Sequence, residues 1–341
     1  MAESVEDTIG QMLVFGWSQT AGGNARSLNS HARRLIEEFR VGGVILMARN
    51  VGPPQDAKKL TGYLQNLAEL SGLPRLLVST DQEGGRVARF GPPDYPAFPS
   101  ARTIGADGRI GYARQNAASI GRVLAHAGVN WALMPSLDVN NNPNNVVIGD
   151  RSFGDDPALV ARLGAASIIG LQDDAGVMAC GKHFPGHGDT AVDSHLSLPI
   201  IDHDPSRLDL IELPPFRAAI AAHVGSIMSS HILYRRLDAE LPATLSPKIL
   251  GGVLRETLGY DGVVVTDCLE MLGVAAKWGS AEAAVLAVIA GADMVLACHT
   301  EATQSAIRLA LIDAVHSGRI AESRINDAHR RIKAAKKMYA N

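Results

Sequence analysis

The stretch Gly176-Val177-Met178-Ala179-Cys180-Gly181-Lys182-His183-Phe184-Pro185-Gly186-His187-Gly188-Asp189-Thr190-Ala191-Val192-Asp193-Ser194-His195 joins a short apolar run to a segment crowded with titratable groups. The run up to Gly181 is brief, nearly continuous and bounded by glycine, as a buried strand of a parallel sheet is. The rest mixes three histidines, a lysine and two aspartates with Gly and Pro. Helices and strands do not tolerate that mixture, so 182–195 reads as a shaped loop. Loops dense in titratable groups are where chemistry is usually found.

The same alternation runs along the chain. Short apolar runs at 12–16, 43–47, 76–80, 131–137, 177–180, 226–230, 263–266 and 294–297 read as strands. Longer amphipathic stretches at 30–39, 57–70, 108–127, 157–174, 207–223, 247–258, 281–290 and 301–316 lie between them. In the last, Ile307, Ala310, Leu311, Ala314 and Val315 follow helical spacing. Strands alternating with helices predict a parallel sheet with right-handed crossovers. Eight such units predict a single (β/α)8 TIM-type barrel more than an open sheet. No composition break, linker or repeat divides the chain, so 1–341 reads as one domain. The segment 323–339, with Arg330, Arg331, Lys333, Lys336 and Lys337, reads as a basic helix whose charges face solvent.

Composition narrows the function classes. A hydrophobic content of 46% and a charged content of 20% describe an ordinary soluble globular protein. The net charge of -3 gives no electrostatic case for nucleic acid or an anionic membrane surface. No run approaches the roughly 18 apolar residues of a membrane span, and the acidic start of the chain shows no signal peptide. Cys180, Cys268 and Cys298 are odd in number and sit in apolar runs, as reduced, buried residues of a cytoplasmic protein do. The expectation is a cytoplasmic protein with no nucleic-acid or membrane partner; the sequence carries no signal of oligomeric state.

A barrel concentrates function where its strands end. Polar residues follow the predicted strands there: Asp81-Gln82-Glu83-Gly84-Gly85-Arg86-Val87, then Asp138 with an Asn-rich loop to Asp150-Arg151-Ser152-Phe153, then Ser229-Ser230-His231, then Asp267. A carboxylate at the tip of a strand as apolar as 262–266 needs a reason, because burial disfavours its charge. On spacing alone, capping of a helix from Leu269 onward and catalysis stand level for Asp267. Three chemistries compete for the whole set. The first is glycoside hydrolysis with retention, using an Asp nucleophile and a proton donor. The second is a metal-dependent barrel hydrolase drawing on His183, His187, His195, Asp189, Asp193 and Asp267. The third is a sugar-binding barrel without chemistry. The metal reading lacks a ligand pair of known mechanics and leaves the carboxylates and basic residues of other strands unexplained.

The stretch from Lys182 to Thr190 followed by Asp193-Ser194-His195 resembles the signature of bacterial β-N-acetylglucosaminidases of glycoside hydrolase family 3. The segments Asp81–Val87, Arg151-Ser152-Phe153-Gly154 and Thr266-Asp267-Cys268-Leu269-Glu270-Met271 are similar to that family's other motifs, in the same order. The likeness runs from about Ile9 to about Arg331, nearly the whole chain, and implies a glycoside hydrolase catalytic domain over 1–341. It implies Asp267 as nucleophile, His195 as general acid/base and Asp193 as the carboxylate that orients it. It also implies Asp81, Arg89, Arg151, Lys182 and His183 as the residues that bind a terminal N-acetylglucosamine. No cofactor and no metal are implied. His187 reads as a loop-shaping residue, Glu83 and Arg86 as braces, His231 as a weaker site candidate, and Asn141, Asn142 and Asn145 as turn builders. One departure is visible: Cys268 stands where the family often has an Asp.

The chemistry suits those roles. A free Asp, with a pKa of about 4, is ionised at neutral pH. Imidazole, near about 6.5, can donate a proton and take one back. A turn between Asp193 and His195 would bring carboxylate to ring, and Gly186 and Gly188 read as hinges for a loop that closes. Larger relatives with β-glucosidase activity add a second domain that supplies the acid/base; with no residues left for one here, the N-acetylglucosaminidase branch is expected. That branch cleaves N-acetylglucosamine from anhydro-N-acetylmuramic acid in recycled peptidoglycan fragments (muropeptides). A β-glucosidase-like activity and phosphorolysis on the same site stand as alternatives.

Overall fold

The computed structural model describes residues 4–21, 23–194 and 196–340. The eight apolar runs become the staves of a closed, all-parallel barrel. They are β1 Leu13–Phe15, β2 Gly43–Leu46, β3 Leu77–Thr80, β4 Trp131–Ala132, β5 Met178–Phe184, β6 Ser226–Ser229, β7 Val263–Cys268 and β8 Met294–Ala297. Each pairs with its neighbours in sequence, and β8 closes on β1 through Leu13↔Val295, Val14↔Leu296 and Phe15↔Ala297. The outer layer follows in order: α1 Ser30–Glu37, α2 Pro54–Leu70, α3 Ile110–His126, α4 Pro157–Gln172, α5 Leu213–Ala221, α6 Lys248–Thr257, α7 Ser280–Ala290 and α8 Glu301–His316. This is the (β/α)8 barrel, with α6 wound as a π-helix. No single helix among the described residues is long and apolar enough to cross a membrane.

Local chemistry sets the ends of these elements. Helix α4 starts where the Asp156 carboxylate accepts the Ala158 N–H and Pro157 supplies a first residue with φ already helical. Its buried face, Val160, Leu163, Ser167, Ile168 and Leu171, packs between α3 and α5. The barrel interior is filled rather than hollow. The Trp131 indole crosses it to donate to Ser226 Oγ at 2.8 Å, and Cys180 is fully buried beside them. All three cysteines are buried and free.

The structure departs from the sequence reading at several places. The expected helix 207–223 splits into Pro205–Leu210 and Leu213–Ala221, because Pro214 and Pro215 have no N–H to give and fit only a first turn. The helix expected from 108 starts at Ile110, since Gly108, at φ 73, ends a separate helix Ala101–Asp107. The ladder expected over 131–137 is continuous only at Trp131–Ala132, with an isolated parallel bridge Ser136↔Lys182 beyond it. Pro135 has no N–H to give, though the Leu137 N–H still reaches the Lys182 carbonyl at 2.6 Å. Strand β5 runs on to Phe184, so Lys182 and His183 lie in a strand and not in the loop.

The C-terminal helix, Glu322–Tyr339, is also more than a solvated basic face. Arg331 and Arg324 reach the fully buried Asp293, which also accepts from Arg255 and from the Val264 N–H. Lys336 is buried and donates to Gln11. These pairs close the amino-terminal end of the barrel, opposite the mouth.

Candidate active site

Two strands carry the central residues, and both slip register where those residues stand. The β5–β6 ladder shifts between Lys182 and Phe184, and the β7–β8 ladder between Val265 and Cys268. Successive strand residues normally face opposite sides. A slip re-aims them, and Lys182, His183 and Asp267 all line one cavity of about 340 Å³. Asp81, Arg89, Arg151, Met47, Leu133, Met228 and Glu270 share its walls. The volume is in the range of small-molecule sites.

A chain of charge-assisted bonds frames the cavity. The ammonium of Lys182, almost fully buried, lies 2.9 Å from Asp81 Oδ1 and 2.7 Å from Glu83 Oε1. Arg89 holds the other Asp81 oxygen at 3.3 Å. Arg151 grips Glu83 with two parallel bonds of 2.9 and 2.8 Å, the fork geometry that makes Arg–carboxylate pairs strong. It also reaches His183 Nε2 at 3.2 Å and the Val147 carbonyl at 3.4 Å. Arg151 can only donate, so that nitrogen accepts. Nδ1 therefore carries the hydrogen, which it gives to Asp138 Oδ2 at 2.7 Å. Asp138 is fully buried and also accepts from the Ser136 hydroxyl and from the N–H groups of His183 and His187.

Burial works against every carboxylate in this frame, and the partners outweigh it. Asp81 titrates below the ordinary range because of Lys182 and Arg89. Glu83 lies far below because of Arg151 and Lys182, and Asp138 lies below because of His183 and the Ser136 hydroxyl. Lys182 is pushed up by Asp81 and Glu83 despite its burial.

Asp267 differs from its neighbours. Among the described residues no ion pair involves it, and its Oδ1 accepts the Cys268 N–H at 2.7 Å. Burial again opposes ionisation, but His231, this N–H and Lys182 outweigh it, and its carboxyl also titrates low. It is no helix cap: the following helix, Leu272–Trp278, begins at Met271 without a side-chain cap bond. The capping alternative is thereby set aside. His231, which reaches the Cys268 carbonyl at 3.0 Å and Thr244 at 2.9 Å, braces the strand end beside it.

The segment after β5 is folded onto the mouth by its own polar groups. His187 is buried, its ring nitrogens at 2.8 Å from the Thr190 hydroxyl and 3.0 Å from that of Ser194. Burial and the nearby His183 lower its pKa to about 4. Asp189 pairs with His203 and Arg207. Of the ligand types that suggested a metal centre, His183, His187 and Asp189 are thus taken up by separate protein partners. Gly188 is glycine for contact: a Cβ there would lie 1.8 Å from the Val139 carbonyl oxygen. The Asn145 amide donates to the carbonyls of His187 and Gly188, while its oxygen accepts from Val147 and Ile148 N–H, so it builds a turn and ties two loops. The Asp193 carbonyl accepts from the Leu196 and Ser197 N–H groups. The Ser194 carbonyl accepts from the Gly273 N–H at 3.0 Å, just after the strand that carries Asp267. His195 lies outside the described residues.

Asp81, Arg89, Arg151, Lys182, His183 and Asp267 are therefore brought together. Asp138 and Glu270 were missed as site residues. Asp138 had the signal of a carboxylate at a strand end, but nothing local marks its partner, which is 45 residues away. Glu270 accepts from the N–H groups of Cys298, His299 and Thr300, each at 2.8 Å.

A barrel with a polar, hydrogen-bond-rich cavity at its carboxyl-terminal mouth, and in it a carboxylate, Asp267, that no cation holds among the described residues, is of the class that binds hydroxylated small molecules. The chain belongs to glycoside hydrolase family 3: the Glycosyl hydrolase family 3 N terminal domain matches residues 4–335. Beta-hexosaminidase A of Pseudoalteromonas piscicida is 39% identical over 84% of this chain. The beta-hexosaminidase of Thiobacillus denitrificans is 38% identical over 78% of this chain and 74% of its own length. The structure of a glycoside hydrolase family 3 beta-N-acetylglucosaminidase from Paenibacillus sp. str. FPU-7 superposes with a TM-score of 0.96 at 45% identity, covering 99% of this chain. The chain spans 52% of the length of the Pseudoalteromonas protein and 63% of the Paenibacillus chain.

Proposed function

We propose that this chain is a retaining exo-β-N-acetylglucosaminidase working through a covalent ester on Asp267. The observation that carries the reading is the contrast between Asp267 and the frame around it. The framing carboxylates are held by cations or hydrogen-bond donors, whereas Asp267 faces the cavity ionised and without a counter-ion among the described residues. In the first step an Asp267 oxygen bonds to the anomeric carbon, the glycosidic C–O bond breaks, and the leaving oxygen takes a proton from His195. In the second, water gives a proton back to His195 as its oxygen bonds to the same carbon, and the Asp267 carboxylate leaves. Asp193 orients His195. The dyad comes from the family resemblance.

Asp81, Arg89, Arg151, Lys182 and His183 bind the hydroxyls of the terminal sugar, and their mutual bonds hold them in place before it arrives. The names of the relatives support the N-acetylhexosamine choice. The physiological substrate we take from the same resemblance: N-acetylglucosamine linked to anhydro-N-acetylmuramic acid in peptidoglycan turnover.

The test is release of a chromogenic aglycone from β-N-acetylglucosaminide and from β-glucoside by wild type, Asp267→Ala and His195→Ala. Wild type should prefer the acetamido sugar, and Asp267→Ala should lose roughly 10⁴-fold in kcat. Full activity in Asp267→Ala, or an inert wild type, sinks the reading.

A further inference from the structure

On the wall next to Asp267 stand three side chains for which the proposed hydrolysis has no use. The thiols of Cys268 and Cys298 and the ring of His299 each place one ligand atom within 4.8 Å of the other two, and all three residues line the cavity. The ladder explains how they meet. Cys268 pairs with Leu296, two residues before Cys298, so both cysteines fall on neighbouring positions of one barrel face. One carboxylate fixes their backbone: Glu270 accepts the N–H groups of Cys298 and His299, and its Oε2 lies 3.7 Å from Cys268 Sγ. Arg49 donates to His299 Nδ1 at 3.2 Å, which requires a lone pair there, as in the ligating form of imidazole.

Two sulfurs and an imidazole are the donors that borderline-soft cations prefer. In a tetrahedral zinc site, with bonds of about 2.3 Å to sulfur and about 2.0–2.1 Å to nitrogen, the donors stand roughly 3.5–3.8 Å apart. Closing the present group to that spacing asks for side-chain shifts on the order of 1 Å, with His299 exchanging Arg49 for the ion. Three protein ligands leave one coordination place open, and here it opens toward the cavity that holds Asp267.

We propose that Cys268, Cys298 and His299 form a binding site for a borderline-soft divalent cation such as Zn²⁺, and that a cation there shuts the pocket. On binding, both thiols become thiolates and two protons pass to solvent for each cation taken up. The cation draws in the Asp267 carboxylate and occupies the space of the sugar. This second half rests on Asp267 being the nucleophile.

The test separates the two halves. Reduced protein, without substrate, is titrated with Co²⁺ and then with Zn²⁺. One equivalent of Co²⁺ should give an intense near-ultraviolet sulfur-to-cobalt band with tetrahedral bands in the red, discharged by Zn²⁺. Cys298→Ser and the surface change His299→Ala should each weaken the site at least about 100-fold, since even outer-shell partners cost 10–100-fold, while Cys180→Ser leaves it intact. Absence of the band, or equal titrations in all variants, overturns the site. In hydrolysis assays Zn²⁺ should inhibit wild type, EDTA should reverse it, and His299→Ala should resist it relative to its own metal-free rate. A cobalt band with undiminished hydrolysis overturns the closure but leaves the site. A band in a protein inert toward glycosides without metal overturns the hydrolase reading alone.

Discussion

Asp138 and His183 meet at 2.7 Å, and the same carboxylate accepts the main-chain N–H groups of His183 and His187. One buried group thus sets the tautomer of a cavity-lining histidine and anchors the start of the loop that follows it. In Asp138→Asn the amide replaces an acceptor by a donor, and His183 can no longer give its Nδ1 hydrogen while accepting from Arg151. Steady-state kinetics on the chromogenic substrate should show kcat/KM lower by about 10–100-fold, as for the loss of a partner that orients a liganding imidazole.

Glu83 carries the Arg151 fork and half of the Lys182 ion pair, with its side chain 4% exposed. Glu83→Gln leaves buried cations under-compensated and should cost about 3–5 kcal/mol in denaturant unfolding. The pH dependence follows from the depressed carboxyls of Asp81, Glu83 and Asp138. A carboxyl lowered in the fold stabilises it fully above its unfolded value of about 4, and that stabilisation disappears as pH falls through the folded value. Melting temperature should hold from neutrality to about pH 5 and then fall, less steeply in Glu83→Gln.

The acid limb of kcat/KM should likewise lie below the ordinary aspartate range, because the proposed nucleophile, Asp267, titrates low. A pH–rate profile checks this. A limb at pH 5 or above assigned to Asp267 would contradict it.

Gly273 sits where a Cβ would come 2.8 Å from the Ser194 carbonyl and 3.3 Å from His231 Cβ. Gly273→Ala must push the 194 segment away from the mouth. Because small misplacements near reacting groups are expensive, kcat should drop at least about tenfold while KM changes less. An unchanged kcat would mean that this anchoring has no part in the reaction.

Asp293 offers the opposite test. It is fully buried at the amino end of the barrel among Arg255, Arg324 and Arg331. Asp293→Ala should lose about 3–5 kcal/mol of stability, yet the molecules that remain folded should keep the wild-type kcat.

The barrel was legible because short apolar runs alternate with longer helical stretches, several of them with a clear apolar face. The breaks came where proline or glycine overrides pattern, at Pro135, Gly108 and the pair Pro214-Pro215. The residues gathered at the mouth were legible through strand ends and through likeness to a family, not through spacing alone. Lys182 shows why: its loop-like neighbours hid that it continues β5, because the pairing that makes it a strand residue is with Met228, far along the chain. Asp138 and Glu270 were hidden for the same reason. Their partners, His183 and the 298–300 turn, are close only once the barrel closes.

Glu270 collects three consecutive main-chain donors from the turn after β8 while itself following β7. The two loops are thereby riveted into one jaw. On the other side, the stretch around Ser194 is moored through that residue's hydroxyl and carbonyl, and Val192 and Leu196 stand out in solvent. A vice with one fixed jaw gauges everything against that jaw. The Gly273 N–H, just after the strand that carries Asp267, holds the Ser194 carbonyl, so that bond is a latch between the two sides of the mouth.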